Sequence, residues 1–381
     1  MVYLDYNAST PVDQRILVAV TESQCAYGNP ASAHHAIGKA AAERVEEARS
    51  RVADLVGRPA QDIVFTSGAT EAAVLGLLGT MIGAAGRPNI VVSPTEHKAV
   101  LEAAELGARL AGGEARVVRV DRDGVVDLDD LARLVDNSVA AVAVMAANNE
   151  TGVVASAAEI AEISHRAGSL FFVDATQLIG KGPADAAAAL ADLMVFSSHK
   201  IYGPKGAGAL VASRRVQKSI VPIASGGGQE RGLRGGTQNT PSIVGFGLAA
   251  ELAMKEQASD AARIGDLADA LLTGLQRQLP DVYVNGGEAD RLPNTLNLRF
   301  VGADAEAVMA SMPEICVSAG SACNSAVPSP SHVLLAMGMS GTEASESLRI
   351  SLGRPTTRDE VDVAVACISA AVSRVRELTR E

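Results

Sequence analysis

The chain has no tryptophan, and only five tyrosines and six phenylalanines are spread over its 381 residues. A core of that size is then expected to consist of Ala, Val, Leu and Ile. Positive charge is also short: 33 Lys and Arg face 44 Asp and Glu, a formal net charge of −11. That balance argues against a basic nucleic-acid footprint and against an anionic membrane surface. Long apolar runs are missing. The longest uncharged one, 72–86, is interrupted by Gly76, Gly79 and Gly83, whereas a spanning helix needs about 18–20 apolar residues. The opening "MVYLDYNAST" carries Asp5 and no apolar stretch, so no signal peptide is expected. Cysteine is sparse. Cys25, Cys316, Cys323 and Cys367 include no CxxC pair, which excludes a zinc knuckle or a thioredoxin motif and points to reduced thiols in the cytoplasm. No repeat, low-complexity tract or Pro/Ser-rich linker divides the chain.

What is present is hydrophobicity of 48% and 36 glycines, suited to a large core with many tight turns. Strand patterns at 89–93, 115–120, 139–147, 170–175, 193–199 and 208–213 alternate with helical patterns such as "KAAAERVEEARSRVADLV" (39–56). Such alternation predicts an α/β fold, with a mostly parallel central sheet flanked by helices. After about Gly245 the pattern changes. A long helical stretch, 242–279, with a break expected near Ala258 and Ser259, leads to shorter strands and a terminal helix over 359–378. The expected division is a large domain, 16–250, and a smaller α+β domain formed by 1–15 and 251–381.

In open parallel sheets, ligands lie beyond the carboxyl ends of the strands. Polar residues gather at those ends: 96–98, 148–150, Asp174 with Gln177, and 197–200. Any one of them could be an ordinary surface residue; together they indicate a site. Lys200 and Asp174 are the informative pair. A lysine able to form a Schiff base, with an acid for a pyridinium nitrogen, is the protein's share of pyridoxal phosphate chemistry. "FTSGATEA" (65–72) reads as strand end, turn and helix start, where N–H groups and the Thr70 hydroxyl can hold a phosphate. "GPKGAG" (203–208) lacks the spacing of a nucleotide fingerprint.

These segments, together with "YLDYNASTP" (3–11), "GNPASAHHAIG" (28–38), "TEHKAV" (95–100), "NNETG" (148–152), "FVDATQ" (172–177), "SSHKIYGPKG" (197–206), "GGGQERGLRGGT" (226–237), "PNTLN" (293–297), "SAGSACNS" (318–325) and "LRISLGRPTT" (348–357), closely resemble the cysteine desulfurases of the class V aminotransferase family, nearly end to end. The resemblance implies the type I fold of pyridoxal phosphate transferases and conversion of L-cysteine to L-alanine. Lys200 would carry pyridoxal 5'-phosphate covalently and move the Cα proton. His97 would stack on the ring, Asp174 would pair with its nitrogen, and Asn149 and Gln177 would reach its hydroxyl side. Ala69, Thr70, Ser197 and His199 would hold the phosphate, and Thr237 would reach the phosphate of a neighbouring subunit in a homodimer. Arg349, with Asn149, would bind the substrate, the arginine gripping its carboxylate. Arg354 is a second candidate for that grip, with a structural ion pair as its expected use. No metal is implied.

The same resemblance makes Cys323 the thiol that takes the substrate sulfur as a persulfide and passes it to an acceptor protein. The acceptor would serve iron–sulfur cluster assembly, tRNA thiolation or DNA phosphorothioation. Direct attack needs a separation of about 3–3.5 Å, so the resting Cys323 sulfur is expected well beyond that distance, with Gly320 as hinge. Selenocysteine lyase, or another enzyme of the same class, is the alternative; a non-enzymatic scaffold would not need both Lys200 and Cys323. Cys316 and Cys367 read as core, Cys25 has no assignment, and His34 and His35 read as packing or loop residues. Two departures from the family pattern are visible. Ala73 and Val74 stand where asparagines are common, and Pro355 stands where an aromatic is usual.

Overall fold

In a computed structural model of the chain, residues 1–320 and 330–379 are described. A seven-stranded sheet runs in the order Ile63–Thr66, Gly208–Ala212, Leu193–Ser197, Leu170–Asp174, Val139–Ala143, Asn89–Val92, Ala115–Val117. Only Gly208–Ala212 runs against its neighbours; the other pairings are parallel. Side chains alternate between two faces, as a strand's period of two requires. Met194 and Phe196 enter one hydrophobic core, Leu193 and Val195 the other. Apolar runs such as "LMVFS" therefore mark strands covered on both sides.

The scarce aromatics are concentrated inside. All six phenylalanines are buried, and Phe246 meets Phe196 and Phe65 edge-on at centroid distances of 5.5 and 6.2 Å. The core is thus not purely aliphatic, as composition suggested. Phe246, from a helix, and Phe65 and Phe196, from the sheet, supply bulk at this contact that alanines would not.

A further core gathers Val2 and Leu4 with residues from 264 onward, including Leu271, Phe300, Ile350 and Ile368. It covers an antiparallel sheet of Ser347–Ser351, Thr295–Phe300 and Val282–Val284, and Val2–Tyr3 pairs in parallel with Ile315–Cys316. The helix Thr240–Gln278 joins the two regions. It packs Ile243, Phe246 and Ala250 into the sheet's core and Leu267, Leu271 and Leu275 into the second. No break occurs at Ala258 and Ser259. Neither residue is a helix breaker, and the Ser259 hydroxyl bonds back to the Glu256 carbonyl at 2.9 Å. The terminal helix is Arg358–Leu378, opened by a capping box of Thr357 and Glu360. Among the described residues no helix is long and apolar enough to cross a membrane.

Candidate functional site

Five parallel strands end on one side of the sheet, and the chain that follows each carries a polar group into the same place. The result is a cavity of about 470 Å³, within the usual range for a small-molecule site. Ala69, Thr70, His97, Asn149, Asp174, Gln177, Ser197, His199, Lys200 and Arg349 all line it. Lys205 and Gly206, from the glycine-containing segment that sequence reasoning set aside, line it as well. Thr237 is exposed and does not line this cavity. Cys323, and with it the expectation about its sulfur's distance, lies outside the described residues.

The first turn of the helix Ala69–Ala73 leaves N–H groups without intrahelical partners. Gly208 approaches this turn so closely that a Cβ would sit 2.5 Å from the Gly68 carbonyl carbon, which is why a strand residue here has no side chain. Glu71 lies in the same turn, an awkward neighbour for a phosphate. Its carboxylate accepts from Ser67 N at 2.7 Å and from Arg234 Nε at 2.8 Å. Burial pushes this acid up, but those bonds prevail and hold it below the usual carboxylate range. Ala73 lines the pocket with only a methyl group, and Val74 opens a π-helical turn, Val74–Leu78. The departure at these two positions therefore gives an apolar wall beside the cup.

His97 caps the helix Lys98–Ala111: its Nδ1 accepts from Ala99 N at 3.1 Å. That bond leaves the proton of the neutral ring on Nε2. Burial lowers the His97 pKa, opposed by Asp174 and reinforced by Lys200. His199 is pushed down to about 4 by burial and by Lys200, Lys205 and Lys181, and its Nδ1 lies 3.2 Å from Ser9 Oγ. Asp174 is buried, with Oδ1 accepting from Thr176 N at 2.9 Å. Beside it lies Glu96, fully buried. Burial, then the Asp174 charge, raises the Glu96 pKa well above its ordinary value, and its Oε1 accepts from Met145 N. The same burial and the Asp174 charge thus both disfavour a second negative charge at Glu96.

Lys200 Nζ donates to the carbonyls of Asn7 and Ala8 at 2.5 and 2.8 Å. Arg349 pairs with Asp5 at 2.7 Å and donates to the Asn149 carbonyl at 3.1 Å. Its Nε is buried without a partner among the described residues, as are Asn149 Oδ1 and Thr176 Oγ1. Three orphaned polar atoms, all on residues lining one cavity, call for a polar occupant. An acid, a lysine, a capped imidazole and a turn of unpaired N–H groups fit the pyridoxal phosphate that the sequence resemblance implies.

Arg354 is not part of this set. Its Nε pairs with Asp260 at 2.7 Å and its guanidinium lies 4.4 Å from the Tyr202 ring centroid. Pro355 is exposed, so Tyr202 supplies the aromatic contact beside that arginine. His35 caps the helix Ala36–Leu55, accepting from Gly38 N. Cys316 and Cys367 are half-buried at the margin of the second core rather than inside it, and Cys25 is exposed.

Sequence reasoning passed over Asn7 and Lys181, and placed Glu96 among the polar strand ends without giving it a role. Asn7, 1% exposed, connects the two regions. Its Nδ2 donates to Asn149 O and Thr295 Oγ1; its Oδ1 accepts from Lys181 Nζ and Asn294 Nδ2. Nothing in its spacing signals this role, because its partners are 142 to 288 residues away. Glu150, also fully buried, accepts from Ser331 Oγ, and its Oε2 lies 3.6 Å from where a Cβ on Gly320 would sit. The two flanks of the segment bearing Cys323 therefore meet at one carboxylate.

Residues 2–363 match the family described as aminotransferase class-V. A cysteine desulfurase of Frankia sp. (strain EuIK1) is 48% identical over 397 residues, covering 100% of this chain and 93% of that protein. The cysteine desulfurase IscS of Anaeromyxobacter sp. (strain K) is 44% identical over 381 residues, covering 99% and 94%. Among solved structures, a NifS-like protein superposes with a TM-score of 0.87 at 36% identity, covering 98% of this chain and 99% of that one.

Proposed function

The chain belongs to the class-V aminotransferases and, within them, to the cysteine desulfurases, and from that premise we propose how its residues divide the work. The activity is conversion of L-cysteine to L-alanine, with pyridoxal 5'-phosphate as cofactor. The observation that carries the residue assignment is the convergence of Lys200, Asp174, His97, Arg349 and the Ala69 turn on one cavity.

When bound, pyridoxal phosphate supplies the electron sink for charge developed at the substrate Cα. Ala69, Thr70, Ser197 and His199, which line the cavity, would hold the phosphate, with Glu71 neutralised by Arg234. Asp174 would hold the proton of the ring nitrogen, and the His97 imidazole would pack against the ring. Lys200 would anchor the cofactor and move the Cα proton. Arg349, oriented by Asp5, and Asn149 hold the substrate carboxylate. Cys323 then attacks the substrate sulfur: the C–S bond breaks, an S–S bond forms, and alanine leaves with the proton count preserved. Overall, cysteine and a protein thiol become alanine and a protein persulfide.

The persulfide passes to an acceptor protein serving iron–sulfur cluster assembly, tRNA thiolation or DNA phosphorothioation. The acidic charge of −11 supports handover to a protein rather than direct contact with nucleic acid. We read the assembly as a cytoplasmic homodimer in which Thr237 completes the partner's phosphate site. Its exposure, and the tether of its loop to Glu71 through Arg234, support this. The domains are read as 16–250 and as 1–15 with 251–381, a division supported by the separate cores.

Borohydride reduction of the yellow protein tests the assignment: the label belongs on Lys200, and finding it on Lys98 or Lys205 would overturn it. Cys323→Ser should retain cofactor and bind L-cysteine yet release almost no sulfide. If Cys25→Ser were the inactive variant instead, the role of Cys323 would fall.

A further inference from the structure

Among the described residues Lys181 forms no ion pair. Its Nζ donates to Gln177 Oε1 and, at 2.9 Å, to Asn7 Oδ1. Both acceptors are neutral amide oxygens. Burial, then the charges of Lys200 and Arg349, push its pKa well below the ordinary value. Stability alone gives no reason for such a residue, since an apolar side chain of similar length would avoid the burial of charge.

Gln177 gives the reason. A side-chain amide can be turned end for end with little change in shape, exchanging a donor for an acceptor. Here both ends are constrained. The Asn7 backbone carbonyl can only accept, and it takes a hydrogen from Gln177 Nε2 at 3.0 Å. An ammonium can only donate, so the end facing Lys181 must be the oxygen. A deprotonated Lys181 would keep two hydrogens, enough for both of its acceptors. Asn7 is itself oriented independently: its Nδ2 faces the Asn149 carbonyl at 3.2 Å and its Oδ1 takes Asn294 Nδ2 at 3.0 Å. The remaining hydrogen on Gln177 Nε2 is the one a pocket occupant can use, because Gln177 lines the cavity.

We propose that Lys181 is a positioning residue of the cofactor site. By donating to Gln177 Oε1, it fixes the Gln177 amide so that the ring hydroxyl of the cofactor meets a donor. This rests on the reading of the cavity as a pyridoxal phosphate site. A donor stabilises the deprotonated ring oxygen and so lowers the pH at which the bound chromophore changes colour. An acceptor there would do the reverse.

The test is an absorbance–pH titration of the full-length protein carrying pyridoxal phosphate. It compares the unmutated chain with Lys181→Met, Gln177→Leu and the double variant. Lys181→Met should raise the apparent chromophore pKa by about one unit, roughly tenfold tighter proton binding. In the Gln177→Leu background the same change should add almost nothing, because there is no amide left to orient. Equal shifts in both backgrounds would mean a distant charge effect, and no shift in either would mean no role; either result overturns the proposal. If Lys181→Met does not fold, Lys181→Arg, still a pure donor, should keep the unmutated value, while Lys181→Gln should raise it. Identical titrations for these two would also refute the idea. A chain that takes up no cofactor on Lys200 would sink the reading of the site itself. Cofactor uptake with additive shifts would sink the Lys181 inference alone.

Discussion

Replacing Asn7 by alanine should be among the most damaging single changes outside the cofactor's own contacts. The side chain makes four hydrogen bonds: to Asn149 O at 3.2 Å, Thr295 Oγ1 at 2.9 Å, Lys181 Nζ at 2.9 Å and Asn294 Nδ2 at 3.0 Å. A neutral bond contributes about 0.5–1.5 kcal/mol net, and one to a charged group about 1.5–3 kcal/mol. Water entering the space left behind can serve some of the abandoned partners, so a loss of about 3–5 kcal/mol is expected. That is a large share of a typical total of about 5–15 kcal/mol. The backbone carbonyl that receives Lys200 and Gln177 survives the substitution. Asn7→Ala should therefore lose stability in equilibrium urea unfolding while still taking up pyridoxal phosphate at zero urea. Asn7→Asp separates shape from chemistry. It keeps the volume and can pair with Lys181, but it sets a carboxylate oxygen against the Asn149 carbonyl, so it should be destabilised as well. A loss below about 1 kcal/mol for the alanine variant, or loss of cofactor with unchanged stability, would refute the hub role.

Glu230 and Arg49 form a buried ion pair at 2.7 Å, at 1% and 3% side-chain exposure, beneath the loop that carries Thr237. Glu230→Gln should destabilise the protein by about 3–5 kcal/mol in denaturant titration and weaken the proposed dimer in sedimentation; unchanged sedimentation would separate this pair from assembly. His199 sits at about 4, below its ordinary value near 6.5. Between those values the unfolded chain binds more protons, so stability present above pH 6.5 is lost as pH falls through 4. The full shift corresponds to about 3 kcal/mol, or roughly 2 after allowing for partial exposure. His199→Asn should flatten that slope in the cofactor-free protein, and an unchanged slope would count against the assignment. Gly320 holds φ at +99°, with Ser331 Cβ 3.4 Å from where a Cβ would sit. Gly320→Ala should slow persulfide formation without changing cofactor uptake, and an unchanged rate would remove Gly320 as a hinge.

Much of the site was legible in the linear chain for one reason. In a parallel sheet, the strands that carry His97, Asn149, Asp174 and Ser197 all point the same way, so residues just past their ends must converge. Local patterns were enough to find those strands and, with the family resemblance, to name Lys200 and Arg349. The terminal helix was legible too, read over 359–378 and observed as Arg358–Leu378, whereas the caps His97 and Thr357 came from the structure.

Other features belong to tertiary structure alone. That Gly208–Ala212 runs antiparallel was not visible, since an apolar strand reads the same in either direction. Asn7 becomes a hub only because the N-terminal segment, after pairing Val2–Tyr3 with Ile315–Cys316, is carried across the cavity between two cores. Glu96 looks like one more acid at a strand end; only complete burial beside Asp174 pushes its pKa well up. Lys181 looks like a surface lysine in a Gly-Lys-Gly turn. Its meaning depends on two amide oxygens, one of them from a residue 174 positions away. Periodicity and capping are encoded within a few residues, so the sequence alone decides them. Burial, charge state and the orientation of an amide depend on what the fold places around a side chain, and here only the packed structure decided them.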